Sequence, residues 1–237
     1  YNLFTTTNAT YDPTLHVEDC TVDAAYNVVD DSHITQNFKS VYFGNSIVKM
    51  TVANKPFYST KAKDAHTQQL SRLDNNVFYA ETPLQNYLIN CGDRSQAFQT
   101  TRLQVEVTNN TIYNIYQPNI MIRAYVLAGL TVTKNVGYYT GVTAKSYLTG
   151  VYDTAGFTAD KAEVTYNYLY TAPVSDTNFW SAKHTGSYTP ANNQMGDGVE
   201  APFSSMDAAK GYFPVDASVV KTGAGATYDT KAWFKAE

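Results

Sequence analysis

Charge is scarce in this chain. Asp, Glu, Lys and Arg make up 16% of its 237 residues, below the ~25% usual for globular domains. The polar surface must therefore be built from Thr, Asn, Ser and Tyr. The net charge is −4, with no basic block, which excludes a phosphate-tracking surface and with it nucleic acid as partner. No apolar run reaches the ~18 residues of a membrane-spanning helix. Cysteine is confined to Cys20 and Cys91, at most one bridge, and each reads best as a small buried thiol. His16, His33, His66 and His184 have no ligand-like spacing, so no metal site is expected. Helix signals are nearly absent, and so is Asn-Gly, the strongest hairpin dipeptide.

What is present is aromatic and β-prone. The chain has 20 Tyr and 11 Phe, and 43% of it is hydrophobic, enough for a sizeable core. Tyr, Val, Ile, Thr and Phe fall in short alternating runs broken by Asn, Asp and Gly, the pattern of many short strands. Six segments align without gaps: Leu15–Val22, Ser40–Ile47, Ser71–Phe78, Val105–Ile112, Leu130–Gly137 and Ala162–Leu169. Their sixth position is Asn45, Asn76, Asn110, Asn135 and Asn167, with Cys20 in that place in the first. Three residues earlier stand Val17, Tyr42, Leu73, Val107, Val132 and Val164; two residues later stand Val22, Ile47, Phe78, Ile112, Gly137 and Leu169.

Apolar residues two apart face an interior, and the strand then bends. An amide at such a bend has both a donor and an acceptor for backbone groups that leave the ladder. Amides stacked ~4.8 Å apart can also bond one another. Anchor spacings between 25 and 34 residues exclude a strict repeat but suit a solenoid with variable loops. The pattern predicts an all-β, right-handed parallel β-helix of about six coils with an internal Asn ladder. Residues 1–170 would form the coils, and residues 171–237 a last coil and irregular capping tail of the same domain. Alternation from Ile47 would turn Lys49 inward, for which a bulge is the expected repair.

The Asn-anchored coils resemble the pectate-lyase-like superfamily of parallel β-helices. The tail adds to this: Met206-Asp-Ala-Ala-Lys-Gly-Tyr-Phe, then Ser218-Val-Val-Lys-Thr-Gly-Ala-Gly-Ala, is similar to the closing segment of many bacterial β-helix proteins. The likeness spans residues 15–235 and is narrower still to β-helix surface proteins of glycan-degrading gut bacteria. It implies a polysaccharide or oligosaccharide ligand and a secreted, periplasmic or outer-surface location. The superfamily's catalytic signatures do not carry over. Val41-Tyr-Phe-Gly-Asn echoes the esterase strand, but Ser40 stands where its aspartate would be, and Asn109-Asn110-Thr111-Ile112 lacks the polygalacturonase aspartates. The reading is therefore a glycan-binding protein with no assigned catalytic residue and no cofactor. Alternatives are a lyase or esterase with a diverged site (a lyase would bring calcium) and a structural or adhesive module.

Candidate sugar contacts follow from the alternation. Tyr166, Tyr168 and Tyr170 flank Asn167 and should face outward, with Tyr138 on the same wall one coil earlier and Trp180 beyond; such rings suit the apolar faces of sugars. The competing expectation is that the aromatic tail packs over them. Arg94, Arg123 and Lys145 are the cations placed to meet an acidic sugar. Asp64, His66, Asp74 and Glu81 read as a solvated loop and strand. The chain opens on Tyr1 without an export signal, and residues 1–14 carry no polar cap, which predicts upstream coils or a further domain.

Overall fold

The structure, a computed structural model, describes residues 3–5, 13–24, 27–31, 38–60, 69–91, 103–116, 120–124, 128–139, 147–151, 162–171, 179–181, 188, 190–196 and 200–228. Among them there is no helix; twenty strands form three wholly parallel sheets. One sheet holds Thr14–Glu18, Ser40–Gly44, Gln69–Asp74, Leu103–Thr108, Gly129–Thr133 and Ala162–Thr165; it is called the open sheet below. After a two-residue corner each strand passes into a second sheet: Thr21–Ala24, Ile47–Met50, Val77–Gln85, Thr111–Tyr116, Val136–Tyr139, Tyr168–Thr171 and finally Gln194–Met195. The third wall runs Phe4–Thr5, Val29–Asp31, Tyr58–Thr60, Ile89–Cys91, Ile120–Ala124, Tyr147–Val151 and Trp180–Ser181.

The chain is a parallel β-helix. Its winding exceeds the expected six coils: six complete coils are flanked by one strand of a preceding coil and one of a following coil, which makes two of the sheets seven-stranded. The frame also continues past residue 170, through a bridge from Thr165 to Ala191 and the pairing of Tyr168 and Leu169 with Gln194 and Met195.

Inside, like residues stack on like. Val17, Phe43, Leu73, Val107, Val132 and Val164 form one column in unbroken register, and all six are buried. Where the walls converge, Phe57 packs between Phe43 and Phe78, with ring centroids 4.8 and 4.7 Å apart in edge-on geometry. Such pairs add about 0.5–1.5 kcal/mol each beyond area burial.

The corner carries the amide ladder. Asn76, Asn110, Asn135 and Asn167 are fully buried. Each Oδ1 from Asn110 onward accepts both the backbone N–H and the side-chain amide of the asparagine one coil earlier: 2.9 and 3.1 Å for Asn76 to Asn110, 3.0 and 3.0 Å for Asn110 to Asn135, 2.9 and 2.9 Å for Asn135 to Asn167. Asn193 continues the series at 2.8 and 3.0 Å. Each amide also donates to a carbonyl of the preceding coil, as Asn110 does to Leu73 at 3.0 Å.

Asn45 is not in this ladder. The open-sheet register pairs Phe43 with Leu73 and Val17, one residue off the gapless alignment, so Ser46 takes the interior place. Its N–H donates to Asn76 Oδ1 at 3.0 Å, and its hydroxyl accepts from the Cys20 N–H at 3.1 Å while donating to the Gly44 carbonyl at 2.6 Å. The same one-residue correction turns Val48 inward, Tyr42 outward and Lys49 outward, and no bulge is needed. Lys49 Nζ meets Glu81 at 2.6 Å.

The tail within residues 171–237 was expected to close an end or, in the competing expectation, to pack over the tyrosines; residues 200–228 do the latter, lying as a strap along the outer face of the second sheet. Gln194 of the last coil bonds the strap at Val219 and Lys221, both 2.7 Å. Gly225, Ala226 and Thr227 then donate to the Lys134 carbonyl, Thr111 Oγ1 and Asn75 Oδ1 at 2.8, 3.0 and 2.7 Å, stepping back one coil per residue. The reason is the face itself. The outward column Tyr79, Tyr113, Tyr138, Tyr170 is apolar and tall, and an uncovered patch of that size is costly in water.

Candidate functional site

The strap settles the fate of the predicted tyrosine wall. Tyr138, Tyr168 and Tyr170 do point out of the coil, but they are buried beneath Phe203, Phe213, Val220, Ala224 and Ala226. Tyr138 lies 4.5 Å from Tyr170 and 5.4 Å from Tyr113, nearly parallel to the latter. Tyr168 folds over Gly196, whose missing Cβ would sit 2.4 Å from the Tyr168 hydroxyl oxygen. These rings form the strap's seat and cannot meet a sugar. Burial raises the Tyr79, Tyr113 and Tyr138 hydroxyls above the ordinary tyrosine range. Tyr166 alone of the set is exposed, at 45%.

Of the predicted cations, Arg94 and Lys145 lie outside the described residues, as does the Trp180 side chain. Arg123 stacks its guanidinium 4.3 Å from the Tyr87 ring centre and donates to the Tyr87 hydroxyl. The guanidinium is thus held on the third wall, away from the cleft described below.

Among the described residues none forms a strap over the open sheet. Its outward side chains form two columns in register: His16, Tyr42, Arg72, Glu106, Thr131, Glu163, and beside it Glu18, Gly44, Asp74, Thr108, Thr133, Thr165. Gly44 shapes the first of these. A Cβ there would come within 2.2 Å of the Tyr42 hydroxyl oxygen, so the absence of a side chain lets the Tyr42 ring lie down along its own strand. His16 flanks that ring at 4.6 Å. Burial, then the carboxylates of Glu18 and Asp74, push the Tyr42 hydroxyl above its usual range. Arg72 is drawn to Glu106 at 3.4 Å and Asp74 at 3.8 Å.

At the corner beside Tyr42 the backbone turns through left-handed conformations. Asp19, Asn45, Asn75, Asn109, Lys134, Tyr166 and Asn192 all have φ between 48 and 57°, a region tolerated best by Asn and Asp. The amides of three of them, Asn45, Asn75 and Asn109, bond along the axis. Asn45 donates to Glu18 at 2.8 Å, Asn75 to Asn45 at 2.7 Å and Asn109 to Asp74 at 3.0 Å; Thr108 donates to the same Asp74 oxygen at 2.5 Å. Tyr42, Asn45, Asp74, Asn75, Asn109 and the strap's Thr227 line a cleft of about 380 Å³. It joins a flattened ring to amides and a carboxylate, with no Lys or Arg in its lining.

Sequence reasoning did not single out this cleft. The signal available was the residue before each anchor, Asp19, Asn75, Asn109, Lys134 and Tyr166, which the segments hold at a constant place. Nothing in the sequence marked Thr227, which arrives from 152 residues away. Among the described residues no three His, Cys, Asp or Glu side chains group as a metal site requires. No protein-family model, curated protein or solved structure matches the chain.

Proposed function

We propose that this protein binds polysaccharide at the corner cleft without cleaving it, and that it works outside the cytoplasm as a secreted, periplasmic or surface protein. The observation that carries this reading is the Tyr42 ring laid flat by Gly44 beside side-chain amides and Asp74. A sugar offers an apolar ring face and a rim of hydroxyls; an aromatic plane next to mixed donors and acceptors matches both. The coil plan and tail, which resemble the pectate-lyase-like superfamily, favour the same ligand class, and the surface rich in Tyr, Thr and Asn fits glycan contact.

The test is affinity electrophoresis against immobilised neutral and acidic polysaccharides. Retardation is expected with at least one, and Tyr42→Ala should weaken it about fivefold, the loss of one aromatic contact of ~1 kcal/mol, with the melting temperature kept. Retardation by none, or release of new reducing or unsaturated ends, would refute binding without cleavage.

A further inference from the structure

Six of the seven corner residues with positive φ are unremarkable or mildly costly there. Asn and Asp tolerate the left-handed region, and Lys134 is a flexible, exposed chain. Tyr166, at φ 57°, is a bulky residue where such geometry costs of order 1 kcal/mol, yet its ring is 45% exposed and has no place in the core. An aromatic ring held in a strained corner and left in water is unexplained by packing. Its position in the stack supplies a reason. The corner N–H groups of Asn45, Asn75, Asn109 and Lys134 each donate to the carbonyl at the end of the next open-sheet strand, Asp74, Thr108, Thr133 and Thr165. The corners therefore form one straight line along the axis, with Tyr42 beside its second coil and Tyr166 on its sixth. Four coil steps separate them, about 19 Å at the ~4.8 Å rise, the reach of an oligosaccharide and far beyond a single sugar.

The charge along that line selects among glycans. Glu18 and Asp74 stand beside it and Asp19 on it; among the described residues Lys134 is the cation on the line itself, and Arg72 is engaged by Asp74 and Glu106. Among the described residues there, carboxylates outnumber available cations, which disfavours an acidic sugar.

We propose that Tyr166 is a ligand-contacting residue, and that the ligand is an uncharged linear oligosaccharide lying along the corner from Tyr42 to Tyr166. This rests on the glycan-binding reading above and narrows it to a length and a charge.

The experiment is titration calorimetry of the full chain with cellobiose, cellohexaose, mannobiose, mannohexaose and hexagalacturonate. A neutral hexasaccharide should bind more tightly than its disaccharide and than hexagalacturonate. Tyr166→Ala should weaken the hexasaccharide about tenfold and leave the disaccharide unchanged. Tyr166→Asn should lose the same affinity while melting higher, because Asn is at ease at this φ; a residue present for stability alone would not separate the two readouts. If Tyr42→Ala weakens binding and Tyr166→Ala does not, or if hexagalacturonate binds best, the inference falls and glycan binding stands. If no sugar binds, both fall.

Discussion

A single asparagine side chain in the ladder makes four hydrogen bonds. Asn110 accepts from the Asn76 backbone and side chain and donates to the Leu73 carbonyl and Asn135 Oδ1, all in the buried interior. Asn110→Leu should therefore cost several kcal/mol, at about 1–3 kcal/mol for each buried group left unpaired. Thermal melting checks this, since a chain of this size loses ~2–4 °C per kcal/mol; a mutant that melts like the parent would remove Asn110 from the ladder. One coil on, Gly137 and Tyr139 share the interior. A Cβ at Gly137 would meet Leu169 Cδ2 at 2.6 Å and the Tyr139 hydroxyl at 2.7 Å, and that hydroxyl is buried without a hydrogen-bond partner. Tyr139→Phe should thus be neutral or stabilising, whereas Gly137→Ala should cost about 1–3 kcal/mol by overpacking. The ladder was legible because amide chemistry at a bend repeats. The slip at Asn45 has an equally plain cause. Ser46 has no amide, and the Asn beside it, which belongs to the outer corner, satisfies the same pattern one residue early.

At the scale of elements, the strap is the part that periodicity could not place. Its residues follow no coil frame; their demand is complementarity to the face below. Two glycines test how closely it is fitted. Gly225 has φ 101°, and a Cβ there would lie 2.4 Å from Val215 Cγ2 and 3.1 Å from Val136 Cγ2. Gly223 has φ 63° and open space around it. Gly225→Ala should loosen the strap by about 1–3 kcal/mol beyond the backbone strain that Gly223→Ala also incurs. Faster amide exchange at Ala226 and Thr227, together with binding of a hydrophobic dye, reads this directly; equal behaviour of the two variants would mean that the strap rides loosely on the sheet. The outward direction of Tyr138, Tyr168 and Tyr170 was legible from alternation, but their exposure was not. Alternation reports which way a side chain leaves its strand; the cover was foreshadowed by the tail's own aromatic composition, but where it docks leaves no mark in a local pattern.

Across the whole molecule, the tyrosines make stability depend on alkali. Burial raises the hydroxyls of Tyr42, Tyr79, Tyr113, Tyr138, Tyr139 and Tyr228 above their ordinary range. A folded-state value raised above the unfolded ~10 means the stabilisation is complete below that pH and is lost as pH rises past it. The melting temperature should show no tyrosine-linked fall up to about pH 10 and then drop steeply, with tyrosinate absorbance from these rings appearing together with unfolding. Early, gradual titration of all 20 tyrosines would contradict their burial. The parallel β-helix itself was legible, since one chemical demand recurs at every corner; the cleft depends on which corners share a line, and that depends on register.

The strap also fixes an order of events. Successive ladder positions are joined across 25 to 34 residues, so coils can be added one upon another as the chain is synthesised. The strap closes over far longer spans, 115 residues from Thr111 to Ala226 and 152 from Asn75 to Thr227, and such contacts form late. Until residues 200–228 have emerged, the tyrosine column stands bare on a wound solenoid. A chain cut short before the strap would be a well-wound but adhesive body.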